Sequence, residues 1–570
     1  MKLRKISLVL TLSMLLSCMA GCNGAADQTS SVATSVTEPA EAQTTSVKAE
    51  ATADVANSAA APDSGAENVP EPVDSSYLYP IAEEKITLHA FLHMAPFASA
   101  YIGPGGVVEN SAAILLAEEA TNVHLDVDWS DPDTYSEKVN LLVFSGTVPE
   151  ITRNLGQLYN GGIDGLIEDE ICMDISDLLP EYAPDYYALL EEYPNFKRES
   201  VSAGGAIIAM FGFRDTPIYN MGPLYRKDMF DAIGAEVPTT VEQLHDVALA
   251  LKNEYGVEAA MVSPRFTRDA YCGADFIASN QIPITWWNID GEVTPAVKLD
   301  STYEWIQQIK QWDSEKLFID DWYHPAPFYD DYVFADRVAM LYAPYNLAST
   351  DSKSFAANPE TFDLRPMANV TLNAGETIKT QDKSIGGKGD GEWCVATTDE
   401  ELAKRVIAYT NWFFTEEGRL ASNFGTEGVS YEYDDSGNIQ FTELITEDPN
   451  GYGSLAVYSI YTTYDDNPFY LTRERVELTY DNEAAASCYD VWLSNMTSEY
   501  VCTYTLTQEE TQKYNQMASD VITTMAENLT KFAIGDRDIS EWEDFLGTLD
   551  SLGLEDLTAI VQTAFDRSHS

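Results

Sequence analysis

Basic residues are scarce in this chain. Its 33 lysines and arginines stand against 92 aspartates and glutamates, a formal charge of −59 over 570 residues. Phosphate backbones bind through basic patches, so nucleic acid is excluded as a partner, and an anionic membrane surface is a poor one. Most of this charge reads as a solvated acidic surface, and it favours a neutral or cationic solute over an acidic one. Cysteine is also sparse, with seven in all and Cys18 and Cys22 both near the N-terminus. Cys172, Cys272, Cys394, Cys488 and Cys502 are odd in number and widely spaced, without a CxxC pair or a Cys/His cluster. That pattern argues against a zinc site and allows at most two disulfides, with buried free thiols as the simpler reading. No apolar run reaches the ~20 residues of a membrane-spanning helix.

Catalytic and cofactor signatures are missing too. The glycines from Gly386 to Gly391 (GGKGDG) lack the spacing and following Ser/Thr of a phosphate-binding loop, and no GxSxG or HExxH motif occurs. His89 and His93 share one face of a strand without a third ligand nearby, and Asp434-Asp435 lacks the alternating oxygen donors of a calcium loop. No metal or cofactor is expected. With 92 acidic residues, a plausible carboxylate pair identifies no glycosidase.

What is present begins with an export signal. Lys2, Arg4 and Lys5 precede a short apolar run from Ile6 to Leu16, then small residues and cysteine. Met19-Ala20-Gly21-Cys22 resembles the lipobox of bacterial lipoproteins, in which the cysteine is acylated and becomes the mature N-terminus; Cys18 is a rival acceptor. From Asn23 to about Ser76 the composition is Ala, Ser, Thr, Val, Glu, Asp and Pro without an aromatic residue. Such a segment buries too little apolar surface to offset its ordering entropy and is expected to be a tether, with a reach of roughly 40 Å as a flexible coil.

The remainder, about 490 residues, exceeds what one hydrophobic core usually supports, so two lobes are expected. Lys85–Leu92 alternates as a strand, 110–120 reads as a helix, 123–129 as a strand, 132–144 as a helix and 148–152 as a strand. This βαβαβ order predicts a doubly wound parallel sheet, which binds ligands beyond the carboxyl ends of its strands. Trp129 beside Asp131, and Asn154 after Arg153, fall at those ends. Two capping boxes are predicted, Thr398 with Glu401 and Thr239 with Glu242, and a hairpin over 431–441.

Four segments then carry a resemblance. Val406–Tyr431, VIAYTNWFFTEEGRLASNFGTEGVSY, resembles the helix end and NxGxEGxxY turn of the extracellular solute-binding proteins of family 1, the lipoproteins of carbohydrate ABC importers. Gly222–Lys252 (GPLYRKD…GAEVPTT), Phe334–Tyr345 (FADRVAMLYAPY) and Lys531–Arg567 recur in that order in the family. The resemblance covers about 85–567. It implies a two-lobed, class II periplasmic-binding-protein-like α/β fold with a hinge and a ligand cleft between lobes. On that pattern 1–21 is signal and 22–76 is lipidated cysteine and tether. Lobe one is 77–219 plus 391–430, and lobe two is 220–390 plus 431–570.

The implied function is non-enzymatic: a monomer captures an oligosaccharide by lobe closure and delivers it to membrane permease subunits driven by a separate ATPase. Alternatives are a peptide or cationic cargo, a lipid-anchored glycan-active enzyme, or a sensory or adhesive role. Sugar recognition needs flat aromatic faces and planar polar groups in a cleft. The candidates are Trp129, Asn154, Asp215 near the crossing, one of Trp286 and Trp287, Tyr345 after Pro344, and Trp393 at the return to lobe one. Glu427 is expected to fix the glycine turn through backbone N–H groups rather than to touch ligand.

Overall fold

A computed structural model describes residues 73–93, 111–159, 161–216, 221–276, 284–323, 332–349, 353, 355–382, 386–447, 457–458, 461–462, 468–478 and 482–569. Cys22 and the expected tether up to residue 72 lie outside the described residues. In chain order the strands are β1 (Ile86–His93), β2 (Val123–Ser130), β3 (Ile151–Arg153), β4 (Ala209–Arg214), β5 (Met221–Arg226), β6 (Ala259–Met261), β7 (Trp286–Ile289), β8 (Glu292–Pro295), β9 (Val338–Pro344), β10 (Leu364–Pro366), β11 (Gly387–Val395), β12 (Tyr431–Tyr433), β13 (Ile439–Phe441) and β14 (Tyr470–Leu471).

Two larger sheets take ten of them, and β7–β8 and β12–β13 form separate hairpins. The first large sheet runs β14-β4-β11-β3-β1-β2 and the second β10-β5-β9-β6. The helix Ala112–Thr121 links β1 to β2, and the helix Pro132–Ser145 links β2 to β3. Val123, Leu125, Leu88 and Ala90 point into the first core, which is why these segments alternate in sequence. The second core gathers Leu224, Met261, Val338–Leu341, Trp305, Phe532 and Phe545. No described helix is long and apolar enough to cross a membrane.

Three chain crossings join the lobes: between β4 and β5, before β11, and between β14 and the helix Glu483–Leu493. The last falls later than the expected boundary at Tyr431. Tyr431 and Ile439 of the β12–β13 hairpin pack with Phe424 and Leu420, which follow the lobe-one helix Glu400–Trp412, and Tyr470 enters the lobe-one sheet beside Phe213. A two-residue strand carries no periodicity, so its partner is set by tertiary contact alone.

The signature turn is built differently from expectation. Glu427 is exposed, and the hydroxyl of Ser430 holds the loop, accepting from Thr426 N–H at 2.8 Å and donating to Phe424 O at 2.6 Å. Gly425 has φ +84°, and a Cβ there would lie 2.4 Å from Ser430 Oγ. Asn423 is fully buried; its Nδ2 donates to Tyr470 O at 2.7 Å and its Oδ1 accepts from Thr472 N–H at 3.1 Å. The motif therefore fastens β14 to the helix before it.

Both predicted capping boxes shift. Asp399 caps the helix Glu400–Trp412 by accepting from Glu401 and Leu402 N–H, and its charge suits the helix N-terminus better than the Thr398 hydroxyl. Thr240 with Gln243, one residue beyond Thr239 and Glu242, forms the other box. All five cysteines among the described residues are free thiols.

Candidate functional site: the inter-lobe cavity

Strand direction decides where a ligand can sit. β1 pairs parallel with β2 and β3, β11 runs antiparallel to both β3 and β4, and β14 runs parallel to β4. The carboxyl ends of β1, β2, β3, β4 and β14 therefore share one edge, the edge from which the chain crosses to lobe two. In the second sheet β9 is antiparallel to β5 and parallel to β6, so the ends of β6 and β9 lie beside the start of β5 at the same hinge.

Beyond β3 the chain turns through Asn154, whose φ of +54° starts the short helix Leu155–Leu158, and then enters the helix Gly162–Glu168. These two helices form one wall of a cavity of about 590 Å³. The other wall comes from lobe two, from Tyr504 to Asn515. Tyr159 and Tyr504 present a ring from each lobe, and Asn140, Gln157, Ser202, Thr505, Gln508 and Asn515 supply uncharged donors and acceptors. Asp164 is the one charged side chain among the described lining residues.

The walls are held from behind. Tyr159 donates its hydroxyl to Asp169, whose carboxylate pushes the phenol pKa up to about 12. Gln157 Nε2 donates to Glu392 at 3.3 Å; Glu392 is 3 % exposed, and burial raises its pKa although Lys388 and Arg153 partly offset that. Tyr504 bonds with Tyr514 and Trp286, and Trp286 Nε1 donates to Tyr514 at 3.4 Å. The lobes meet at the cavity's edge. The carboxamide of Gln508 fits against Gly161 and Gly165, where an added Cβ would lie 2.9 Å from its Nε2.

The expected site residues distribute unevenly. Trp129 is half-buried at the end of β2 against the lobe-one core, and Asn154 lies two residues before the cavity wall. Tyr345 stands just beyond β9 at the hinge, its ring 5.7 Å from Tyr489. Trp287 is 7 % exposed and donates to Cys272 O at 2.8 Å, so it is lobe-two core; Trp286, at 6 %, backs Tyr504 rather than facing the cavity. Trp393 is 1 % exposed, stacked on Tyr409 and edge-on to Phe413 in the lobe-one core, and so is not open to a ligand. Asp215 closes β4 at the first crossing. Burial raises its pKa to about 7, although a backbone bond from Arg473 and the hydroxyl of Tyr470 partly offset this.

Gln157, Tyr159, Tyr504 and Gln508 were missed by sequence reasoning. The one sequence signal near them is the glycine cluster Gly161, Gly162 and Gly165, which marks a close approach.

Two cores, three crossings and a polar cavity shared by both lobes define a two-lobed α/β fold with its candidate site between the lobes. No protein-family profile matches this chain. It is 24% identical over 500 residues, 79% of its length and 86% of the relative's, to the fructooligosaccharide ABC transporter substrate-binding protein FusA of Streptococcus pneumoniae. Among solved structures it resembles the alginate-binding protein AlgQ2, with a TM-score of 0.66 at 19% identity over 85% of this chain and 99% of that one. An extracellular solute-binding protein from Bifidobacterium longum subsp. infantis matches with a TM-score of 0.66 at 15% identity, over 86% and 99% of the two chains. At those identities the structural matches establish the fold.

Proposed function

We propose that this chain is the substrate-binding subunit of an ABC importer, that it captures an oligosaccharide between its lobes, and that it passes the sugar to permease subunits in the membrane. The observation that carries this reading is the cavity with two tyrosine rings, one from each lobe, and several carboxamides and hydroxyls drawn from both. Tyrosine rings suit the C–H faces of sugars, and side chains that both donate and accept suit hydroxyls. Because each wall belongs to a different lobe, a ligand touching both favours the closed state and shifts the population towards it. Sequence similarity to FusA over most of both chains supports the transport role. In this reading Trp129, Asn154 and Tyr345 at the strand ends make the outer ligand contacts, and Asp215 belongs to the hinge.

The chain acts as a monomer on the outer side of the cytoplasmic membrane, held by acyl chains on Cys22 after signal cleavage. Two or more chains on that residue anchor stably, whereas a single chain does not. Metabolic labelling with a palmitate analogue tests the anchor: Cys22→Ser should abolish labelling, and persistence would move the acceptor to Cys18. A thermal-shift screen against oligosaccharides tests the cargo. A ligand at about a hundred times its Kd stabilises the protein by roughly 2.7 kcal/mol. The expected result is a rise with one glycan class that is lost in Tyr504→Ala and Tyr159→Ala. A rise with peptides alone would overturn the cargo.

A further inference from the structure

The cavity is polar without being cationic. Asn140, Gln157, Ser202, Thr505, Gln508 and Asn515 each offer both a donor and an acceptor, the pairing a sugar hydroxyl needs. A carboxylate needs something else: charge-assisted donors that replace its water. Asp164, the one charged lining residue described, is an acceptor carrying the same sign.

The charges just behind the lining reinforce this. Asp169 stands at the Tyr159 hydroxyl; Glu392 stands behind Gln157, where Lys388 and Arg153 are already engaged by its charge and turned to it rather than to the cavity lining. Arg567, a cation beside the lobe-two wall, is engaged by Glu510 at 2.9 and 2.7 Å and by Thr505 O at 2.7 Å. Arg567 also lies close enough to Asp164 to feel its charge. A ligand carboxylate entering here would give up water, meet Asp164, and compete with Glu510 for Arg567.

Resting on the oligosaccharide reading, we infer that this cavity selects uncharged glycans and rejects their uronic-acid counterparts. Specificity of this kind is built by placing a like charge and uncompensated desolvation against the wrong ligand.

The test is calorimetric titration of the purified protein with matched pairs of equal length. Neutral galacto-, manno- and gluco-oligosaccharides are set beside galacturonate, mannuronate and glucuronate oligomers, at low and high salt. The neutral member of a pair should bind at least about tenfold more tightly, because like-charge contacts are strongly unfavourable in a desolvated site. The gap should shrink in Asp164→Asn and, in the unsubstituted protein, at high salt. A uronate that binds as tightly as its neutral partner would overturn the selectivity and leave the oligosaccharide reading standing. A gap unmoved by both Asp164→Asn and salt would also overturn it, by removing its electrostatic cause. If no oligosaccharide of either kind binds, the oligosaccharide reading itself falls and the inference with it.

Discussion

Gly222, the second residue of β5, sits where the chain has just crossed into lobe two, and its backbone is ordinary strand. A side chain is barred there by a neighbour. A Cβ at this position would lie 2.3 Å from both Cδ2 and Cε2 of Trp492 and 2.5 Å from Cγ. Carbon atoms rest about 3.5–4.0 Å apart, so the overlap exceeds ~1 Å. The indole cannot slide away freely. It is fully buried, and its Nε1 donates to Pro223 O at 2.9 Å, on the residue next to the new methyl. Overpacking of this kind costs about 1–3 kcal/mol, and loss of the indole bond adds ~1 kcal/mol, so Gly222→Ala should destabilise by roughly 2–4 kcal/mol. Urea denaturation followed by circular dichroism reads this as a lower midpoint at unchanged slope. The double variant with Trp492→Leu separates clash from backbone effects, because the smaller side chain leaves room for the methyl. Gly222→Ala should then cost far less than it does alone. A single-variant effect below about 0.5 kcal/mol, or strict additivity in the double variant, would refute the reasoning.

Three further outcomes are expected. Gly165→Ala should push the Gln508 carboxamide out of its place at the cavity edge and weaken glycan binding, with partial rescue by Gln508→Ala; unchanged affinity counts against the notch. Asn411→Ala removes the partner of Tyr186 N–H (3.1 Å), Asp185 (2.8 Å) and the Tyr79 hydroxyl (3.2 Å). It should cost about 3 kcal/mol in urea denaturation, since buried groups left unpaired lose roughly 1–3 kcal/mol each. Asp215 binds its proton more tightly in the folded state, with a pKa of about 7 against an ordinary 3.8. Between those values the folded state holds the extra proton, so this group's contribution to stability is fully present below the lower value and is lost as pH rises towards the upper one. The loss is of order 2 kcal/mol once partial solvent access is allowed for. Asp215→Asn should flatten stability against pH over that window, and an unchanged slope there would contradict the assignment.

Local sequence patterns held the first half of lobe one almost completely. Alternation in 85–92 and 123–129 and helical spacing in 132–144 depend on neighbours within one element, so β1, β2, β3 and their linking helices could be read with shifts of up to three residues. Chain length likewise implied two cores, and the four family-like segments implied how they connect. Short-range capping was readable to within a residue. Asp399 and Thr240 won over Thr398 and Thr239 because cap geometry, not residue type alone, selects the acceptor.

Facing and partnership were settled by packing. Trp393 lies in a segment that suggested a cleft, yet Tyr409 and Phe413, at the end of the helix Glu400–Trp412, pack against its ring and leave it 1 % exposed. Trp286 became a support for Tyr504 because the hairpin β7–β8 packs beneath the segment that leads into the helix Gln508–Ile534. At the edge of the cavity, Gly161 and Gly165 leave room for the Gln508 carboxamide of the other lobe. Periodicity records which residues avoid water, a property of each segment and its solvent. Which ring lines a ligand site and which lines a core depends on surfaces brought together from distant parts of the chain, and that information appears only when the chain has folded.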